Sequence, residues 1–407
     1  MHINRTLKSA INKATKSFRV LLLTGPRQVG KTTLLKEAQQ KGRSYVTLDD
    51  LSMRSAAISD PAGFIQRLKL PVLIDEVQYA PELFSYIKMI VDARKERGLF
   101  WLTGSQQFDM MKNINESLAG RVGILKLQGI SLAEEQKRLS KPFLPDLKTI
   151  KLRQKNATSL TLPKIYHKIW RGSFPDIVSN NGKNWEQFYD SYVTTYIQRD
   201  IREYLRISNQ LPFFRFMQVA AARTGQLINY ADMARDVGGG ISEPTIKTWL
   251  SALHASGIIY LLPPYFNNKT KRLIQTPKLY FMDSGLCSYL TGWLNADVLE
   301  RGAMSGAILE TYAVSEIIKS YIHNGCNPHI YFYRDKEKNE IDLLIESNNK
   351  LYPIEIKKTA SIKNIKLPNL SVLEKLAVDI GHGGVICFVD SAIPLNKDLD
   401  AIPVSWI

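Results

Sequence analysis

Three observations predict an α/β chain built from successive units. Strand-like and helix-like segments alternate from the amino terminus to about residue 130, which predicts a parallel sheet. Residues 205–292 carry three helical stretches with a glycine turn, followed by two short strands. Two β-like runs near the carboxyl terminus flank Asn348-Asn349, a pair that tolerates positive φ and suits a two-residue hairpin turn. The expected divisions are 1–130, a basic linker and helical lid over 131–204, a winged helix-turn-helix over 205–292, and a second α/β unit over 293–407.

The 407 residues suffice for several units with real cores. A hydrophobic content of 44% and a charged content of 23% exclude a disordered chain. The balance of charge is more informative. With 54 Lys and Arg against 38 Asp and Glu, the net charge is +16, which favours a polyanionic partner, nucleic acid before a membrane surface. Cys287, Cys326 and Cys387 have no metal-binding spacing and suit a reduced, cytoplasmic protein. No apolar run approaches the ~18 residues of a membrane span. The basic stretch 8–19 is not followed by a secretory hydrophobic region, so neither a signal peptide nor a membrane partner is expected.

The first unit is organised around Gly25-Pro26-Arg27-Gln28-Val29-Gly30-Lys31-Thr32. The apolar run Val20-Leu21-Leu22-Leu23 precedes it and helical Leu34-Leu35-Lys36-Glu37-Ala38 follows. This is the strand–loop–helix setting that the phosphate-loop pattern G-x-x-x-x-G-K-[ST] requires. Gly25 and Gly30 permit turns that a side chain would obstruct. The loop amides and the positive end of the helix then face phosphates. Lys31 is expected to reach the β- and γ-phosphates of ATP, and the Thr32 hydroxyl to hold Mg²⁺. The nucleotide-binding stretch extends through Thr33.

Ser44 to Asp50 is expected to form the next strand. Pro71-Val72-Leu73-Ile74-Asp75-Glu76 then reads as a strand buried on both faces and ending in two carboxylates. Asp75 is expected to orient Mg²⁺, and Glu76 to polarise the attacking water as general base. Apolar spacings of three and four over 81–91 predict a helix. Leu99-Phe100-Trp101-Leu102-Thr103 reads as a strand whose polar tip, Ser105 before Gln106, is a candidate γ-phosphate sensor. Arg121 is a candidate arginine finger, in its own chain or across an oligomer.

In the stretch 137–168, Lys137, Arg138, Lys141, Lys148, Lys151, Arg153, Lys155, Lys164 and Lys168 are set against a single acid, Asp146. This composition predicts a mobile solvated linker, or alternatively a track for phosphates. A helix is expected over 185–202, packed on the first unit or acting as a lid through Arg199 or Arg202. In the winged unit, Gly238-Gly239-Gly240 makes the turn, Ser242 caps the third helix, and Pro244 lies in its first turn. Lys247 sits at the centre of that helix, and the basic tip 267–272 joins the two wing strands. DNA binding through helix and wing is one reading; packing or protein contact is the other.

A turn at Asn348-Asn349 sets Asp342 opposite Glu355, with Cβ atoms roughly 4.5–5.5 Å apart. Lys357 shares that face. Two facing carboxylates and a lysine form a constellation able to bind Mg²⁺ or Mn²⁺, activate water and stabilise charge on a phosphate. Without a cation the two like charges repel.

These motifs carry two resemblances. Asp342, Glu355 and Lys357 resemble the PD-(D/E)XK nuclease superfamily, which implies a restriction-endonuclease-like fold and a third acid from a preceding helix, here Glu310. Glu340-Ile341-Asp342 stands where that family has Pro-Asp. Across nearly its full length the chain resembles prokaryotic AAA-family ATPases with a DUF4143 domain. The resemblance rests on the phosphate loop, Leu-Ile-Asp-Glu-Val-Gln, Leu-Thr-Gly-Ser, Ser-Leu-Ala-Gly-Arg, Gly-Ser-Phe-Pro-Asp, and Glu-Ile-Asp with Ile-Glu-Ile-Lys. It implies bacterial or archaeal cytoplasm. The phosphate site, the basic charge and the carboxylate pair predict an ATPase that couples Mg·ATP hydrolysis to DNA binding, extended to cleavage where the hairpin is active; the alternative is a nucleotide-gated regulator with an inactive nuclease-like domain that acts through protein partners.

Overall fold

The computed structural model describes residues 3–39, 41–104, 117–156, 158–180, 182–195, 210–266, 275–365, 367 and 370–407. The first sheet contains β1 (Val20–Thr24), β2 (Ser44–Thr47), β3 (Val72–Asp75), β4 (Phe100–Gly104) and β5 (Val122–Lys126) in the order 2-3-4-1-5. All neighbours are parallel. Strand alternation divides the side chains between two faces. Leu21, Leu23, Leu73 and Trp101 pack with Leu7, Ile11 and Leu34 on one face. Val20, Leu22, Ile74 and Leu102 pack with Phe64, Phe84, Ile87 and Val91 on the other. Burial on both faces explains why these strands read as unbroken apolar runs.

The middle of the chain supplies helices Gln210–Ala222, Tyr230–Val237 and Glu243–Ala255, then an antiparallel ribbon of β6 (Ile259–Leu262) and β7 (Lys278–Phe281). Ser242 caps the third helix by accepting from the Thr245 amide, with a proline in the first turn. Gly238, Gly239 and Gly240 all have positive φ at the preceding turn.

The second sheet is mixed. β8 (Ile330–Arg334), β9 (Glu340–Ser347) and β10 (Lys350–Ile356) are antiparallel. β12 (Gly383–Cys387) and β14 (Leu399–Pro403) continue in parallel from β10, the short β13 (Ile393–Pro394) closes the far edge, and β11 (Asp379–Ile380) also pairs with β10. Asn348 and Asn349 have φ of 51° and 58°, and Lys350 pairs with Ser347. The expected hairpin turn and register are both present.

The expectation of a mobile linker after residue 131 is overturned. Helices Leu147–Asn156 and Leu162–Arg171 form here, and Phe143, Ile150, Ile165 and Ile169 enter the main core. Arg153 is buried, donates to the carbonyls of Trp406 (2.5 Å) and Lys141 (3.0 Å), and lies over the Phe143 ring. Its charge is absorbed within the fold, so Arg153 does not belong to an exposed phosphate track. The same core includes residues from Leu7 to Ile407, so the first unit and the carboxyl-terminal unit share one apolar interior.

Candidate functional site

The phosphate loop leaves the carboxyl end of β1. Gly25 lies so close to the chain after β5 that a Cβ would stand 2.1 Å from the Leu127 carbonyl oxygen, and its φ is 149°. Gly30, at φ 88°, turns the chain into helix Lys31–Ala38. The Lys31 ammonium is buried and donates to the carbonyls of Gly25 (3.0 Å) and Pro26 (2.8 Å). Burial lowers its pKa to about 8, against the opposing pull of Glu76 and Asp75.

The carboxyl end of β3 brings Asp75 to this loop. Thr32 Oγ1 donates to Asp75 Oδ1 at 2.8 Å, and Tyr45 OH donates to Asp75 Oδ2 at 3.2 Å. Thr103, fully buried at the end of β4, also donates to Asp75 Oδ1 and accepts the Glu76 amide at 3.2 Å. Glu76 itself has a left-handed backbone, φ 55° and ψ 46°, and Gln78 Nε2 donates to its carboxylate. Thus Lys31, Thr32, Asp75 and Glu76 converge as expected. Thr103 and Tyr45 join the site without a motif of their own, Thr103 standing two positions before the polar-tip residue Ser105. Ser105 lies outside the described residues, as do Arg199 and Arg202.

A cavity of about 170 Å³ adjoins Gly30 and Thr33. Its walls include Ile3, Val29, Leu34, Ile130 and Pro175.

Arg121 does not reach this site within its own chain. It precedes β5, and its carbonyl accepts the Val20 amide at the amino end of β1, opposite the phosphate loop. Its guanidinium is bound to Asp92 through two contacts, 2.5 and 2.9 Å. Five strand residues at ~3.3 Å each separate the two ends. The finger reading in its own chain is therefore corrected, because strand direction places Arg121 at the wrong edge.

A buried network behind the loop left no local pattern in the sequence. Arg5 donates to the carbonyls of Val29 (2.9 Å), Gln128 (2.7 Å) and Gly129 (3.2 Å), and to Glu134 Oε2 (3.2 Å). Glu134 also accepts the amides of Thr6 (2.8 Å) and Ser131 (3.0 Å). Burial opposes its charge, but His323 and Arg5 beside it hold the carboxyl well below the usual range. His323 Nδ1 lies 3.4 Å from Glu134, and its Nε2 accepts the Gln128 amide at 3.3 Å. His323 caps the end of helix Ser305–Ile322, and Glu316 of that helix accepts the Leu132 amide at 2.7 Å.

In the middle unit, Lys247 Nζ lies 5.0 Å from the Tyr230 ring centroid, so the central cation of the third helix stacks on the second helix. The basic tip 267–272 lies outside the described residues.

The carboxyl-terminal residues do come together. Lys357 Nζ lies 2.7 Å from Glu355 and 3.6 Å from Asp342, and Asp342 accepts the Ile356 amide at 2.8 Å. Burial and neighbouring Asp342 push Glu355 up to about 8, against the pull of Lys357. Glu310 is instead held by Tyr280 OH (2.6 Å) and Lys278 Nζ (3.4 Å). Lys278 also lies 2.5 Å from Glu340. Burial opposes the Lys278 charge, and Glu310 and Glu340 more than offset it, raising its pKa. Among the described residues, no three His, Cys, Asp or Glu side chains are arranged to hold a metal ion. The expected ligand set of Glu310, Asp342 and Glu355 is thus not formed. Lys278 and Lys357 balance the acids that a second Mg²⁺ or Mn²⁺ was expected to balance. Among the described residues, no helix is long and apolar enough to cross a membrane.

Comparison with known proteins matches residues 17–135 to an AAA domain model, residues 163–297 to a domain of unknown function (DUF8612), and residues 305–407 to a domain of unknown function (DUF4143). The uncharacterized proteins Rv2008c of Mycobacterium tuberculosis and Mb2031c of Mycobacterium bovis are each 26% identical over 99% of this chain and 84% of their own length. The Walker-type ATPase PABY2304 of Pyrococcus abyssi is 15% identical, with a TM-score of 0.45, covering 70% of this chain and 94% of its own. The two outer matches fall on the two sheets, so the chain carries an AAA domain followed by a carboxyl-terminal DUF4143 domain.

Proposed function

We propose that the protein binds Mg·ATP at the phosphate loop and hydrolyses it, and that the nucleotide state governs contact with DNA. The observation that carries the hydrolytic reading is the Thr32–Asp75 hydrogen bond, 2.8 Å, beside the buried ammonium of Lys31. A hydroxyl and a carboxylate are hard oxygen donors suited to Mg²⁺. Thr32 and Asp75 would hold that ion, which supplies charge neutralisation on the phosphates. Lys31 exchanges its loop carbonyls for phosphate oxygens, and the loop amides and helix end orient them. The cavity beside Gly30, mainly apolar with Arg5 and Glu37 also in its wall, suits a purine base. Glu76 holds a water through its carboxylate and accepts its proton, while the Thr103–Glu76 amide bond fixes its backbone. Arg121 contributes only to the nucleotide of a neighbouring copy.

The +16 net charge supports DNA as the polyanionic partner. Cleavage of that DNA is the weaker part of the reading. The pairing of Lys357 with Glu355 and of Lys278 with Glu310 favours the alternative, a nucleotide-gated regulator with an inactive nuclease-like domain.

The test is ATP turnover in wild type and Lys31→Ala, with DNA retention and cleavage measured in parallel for wild type and Glu355→Ala. Turnover unchanged in Lys31→Ala refutes the hydrolytic reading. Metal-dependent cutting lost in Glu355→Ala overturns the inactive-domain alternative. DNA affinity that does not fall with salt removes the phosphate-contact argument.

A further inference from the structure

A second cavity, of about 470 Å³, lies between the end of β5, helix Glu243–Ala255 with the ribbon after it, and the end of helix Ser305–Ile322. Its volume is in the range that holds a small organic ligand, roughly 300–1,000 Å³. It is separate from the phosphate-loop cavity, and neither the nucleotide reading nor the carboxyl-terminal cluster uses it. Its walls combine apolar surface from Ile259, Met282 and Ile322 with one cation, Lys126, and the imidazole of His254. Among the described residues, no carboxylate lines it. Lys126 ends β5 with its side chain exposed and makes no ion pair among the described residues. His254 turns Nδ1 toward the Ile259 carbonyl at 3.3 Å. Burial lowers the pKa of His254, and Lys126 adds to that effect, so the imidazole is neutral near pH 7 and the charge of this wall is that of Lys126. Amides are present as well: Gln128 and Asn327 lie in the wall.

We propose that this cavity binds a small anionic molecule, with a carboxylate or phosphate at Lys126 and an apolar body against Ile259, Met282 and Ile322. Charge and shape both select this class. A neutral apolar ligand gains nothing from Lys126, and a cation meets a like charge with no acid among the described lining residues. The position suits an effector. The Gln128 side chain in the wall donates to the Gly257 carbonyl at 3.2 Å, while its backbone carbonyl accepts from Arg5, which in turn holds the phosphate-loop residue Val29. An occupant therefore touches a residue two hydrogen bonds from the loop.

The experiment titrates the full chain, saturated with Mg·ADP to fill the phosphate loop, with 8-anilinonaphthalene-1-sulfonate, a dye that joins an aromatic body to an anion. The expected result is one saturable site in wild type, weakened at least tenfold in Lys126→Glu and at least threefold in Lys126→Met. Ala255→Phe, which fills the cavity from its wall, is expected to abolish that site. Displacement of the dye by inorganic phosphate assigns a phosphate ligand, and displacement by benzoate assigns a carboxylate. Dye binding of wild-type strength in both Lys126 variants overturns the proposal, as does the absence of a saturable dye site in the Mg·ADP-saturated wild type. Lys126 is solvent-exposed, so the Lys126→Met protein is expected to fold, which circular dichroism checks before titration.

Discussion

Replacing Glu134 by Gln removes one charge from the interior while preserving side-chain shape. In the wild-type protein Glu134 accepts the amides of Thr6 and Ser131, and it pairs with Arg5 at 3.2 Å and lies 3.4 Å from His323. Both acid and arginine are buried. A glutamine offers one acceptor oxygen and sets an NH₂ group against N–H donors, leaving the Arg5 charge without its counterion. Breaking a buried pair in this way costs about 3–5 kcal/mol. Equilibrium urea unfolding monitored by fluorescence and circular dichroism reads that loss directly. The acid limb gives a second reading. The folded pKa of Glu134 is depressed, so its contribution to stability is present above the unfolded value of about 4.5 and is lost as pH falls toward the folded one. The variant should lack that part of the acid slope. A stability loss under ~1 kcal/mol, together with an unchanged acid slope, would falsify the assignment of Glu134 as the counterion of Arg5.

Three further outcomes follow from the two sites. The pKa of Lys31 is lowered to about 8, so ATP affinity should fall as pH rises through that value; equilibrium dialysis showing constant affinity from pH 7 to 9.5 contradicts it. Thr103→Val removes a donor to Asp75 and the acceptor of the Glu76 amide; at about 1–2 kcal/mol, kcat should drop roughly 5–30-fold, and steady-state kinetics with unchanged kcat refute the positioning role. Asp342→Asn removes a like charge from Glu355, so the Glu355 carboxyl should titrate lower; carbon NMR of labelled carboxylates that finds it unmoved rules out that cause.

The elements legible in the sequence were those whose determinants lie close together along the chain. The phosphate loop needs only its glycines and neighbouring runs, and the β9–β10 register needs only Asn348 and Asn349. Asp75 and Glu76 were found because a buried parallel strand announces its own end. The segment after residue 131 was misread because its lysines dominate the composition, while Phe143, Ile150 and Arg153 are committed to partners far along the chain. Arg121 was misplaced for a related reason: a motif residue can be recognised without knowing which end of the sheet it occupies. The Arg5–Glu134–His323 group was invisible, since its three members come from three distant stretches and obey no spacing. Glu310 lay on the expected helix, yet its actual partners, Lys278 and Tyr280, come from a ribbon whose docking no local pattern encodes.

Helix Ser305–Ile322 has Glu310 near one end, against Lys278 and Tyr280, and His323 just past the other, against Glu134. The two residues are about 20 Å apart along the axis at 1.5 Å per residue. Nearly every turn between them is buried, and Glu316 and Lys319 pair inside it at 2.9 Å. A helix clamped along its length behaves as a push-rod, because sliding or rotating one end without the other breaks its own hydrogen-bond ladder. The phosphate loop, through Arg5, Glu134 and His323, and the acid-and-lysine cluster on the second sheet are thus joined to opposite ends of one rigid helix.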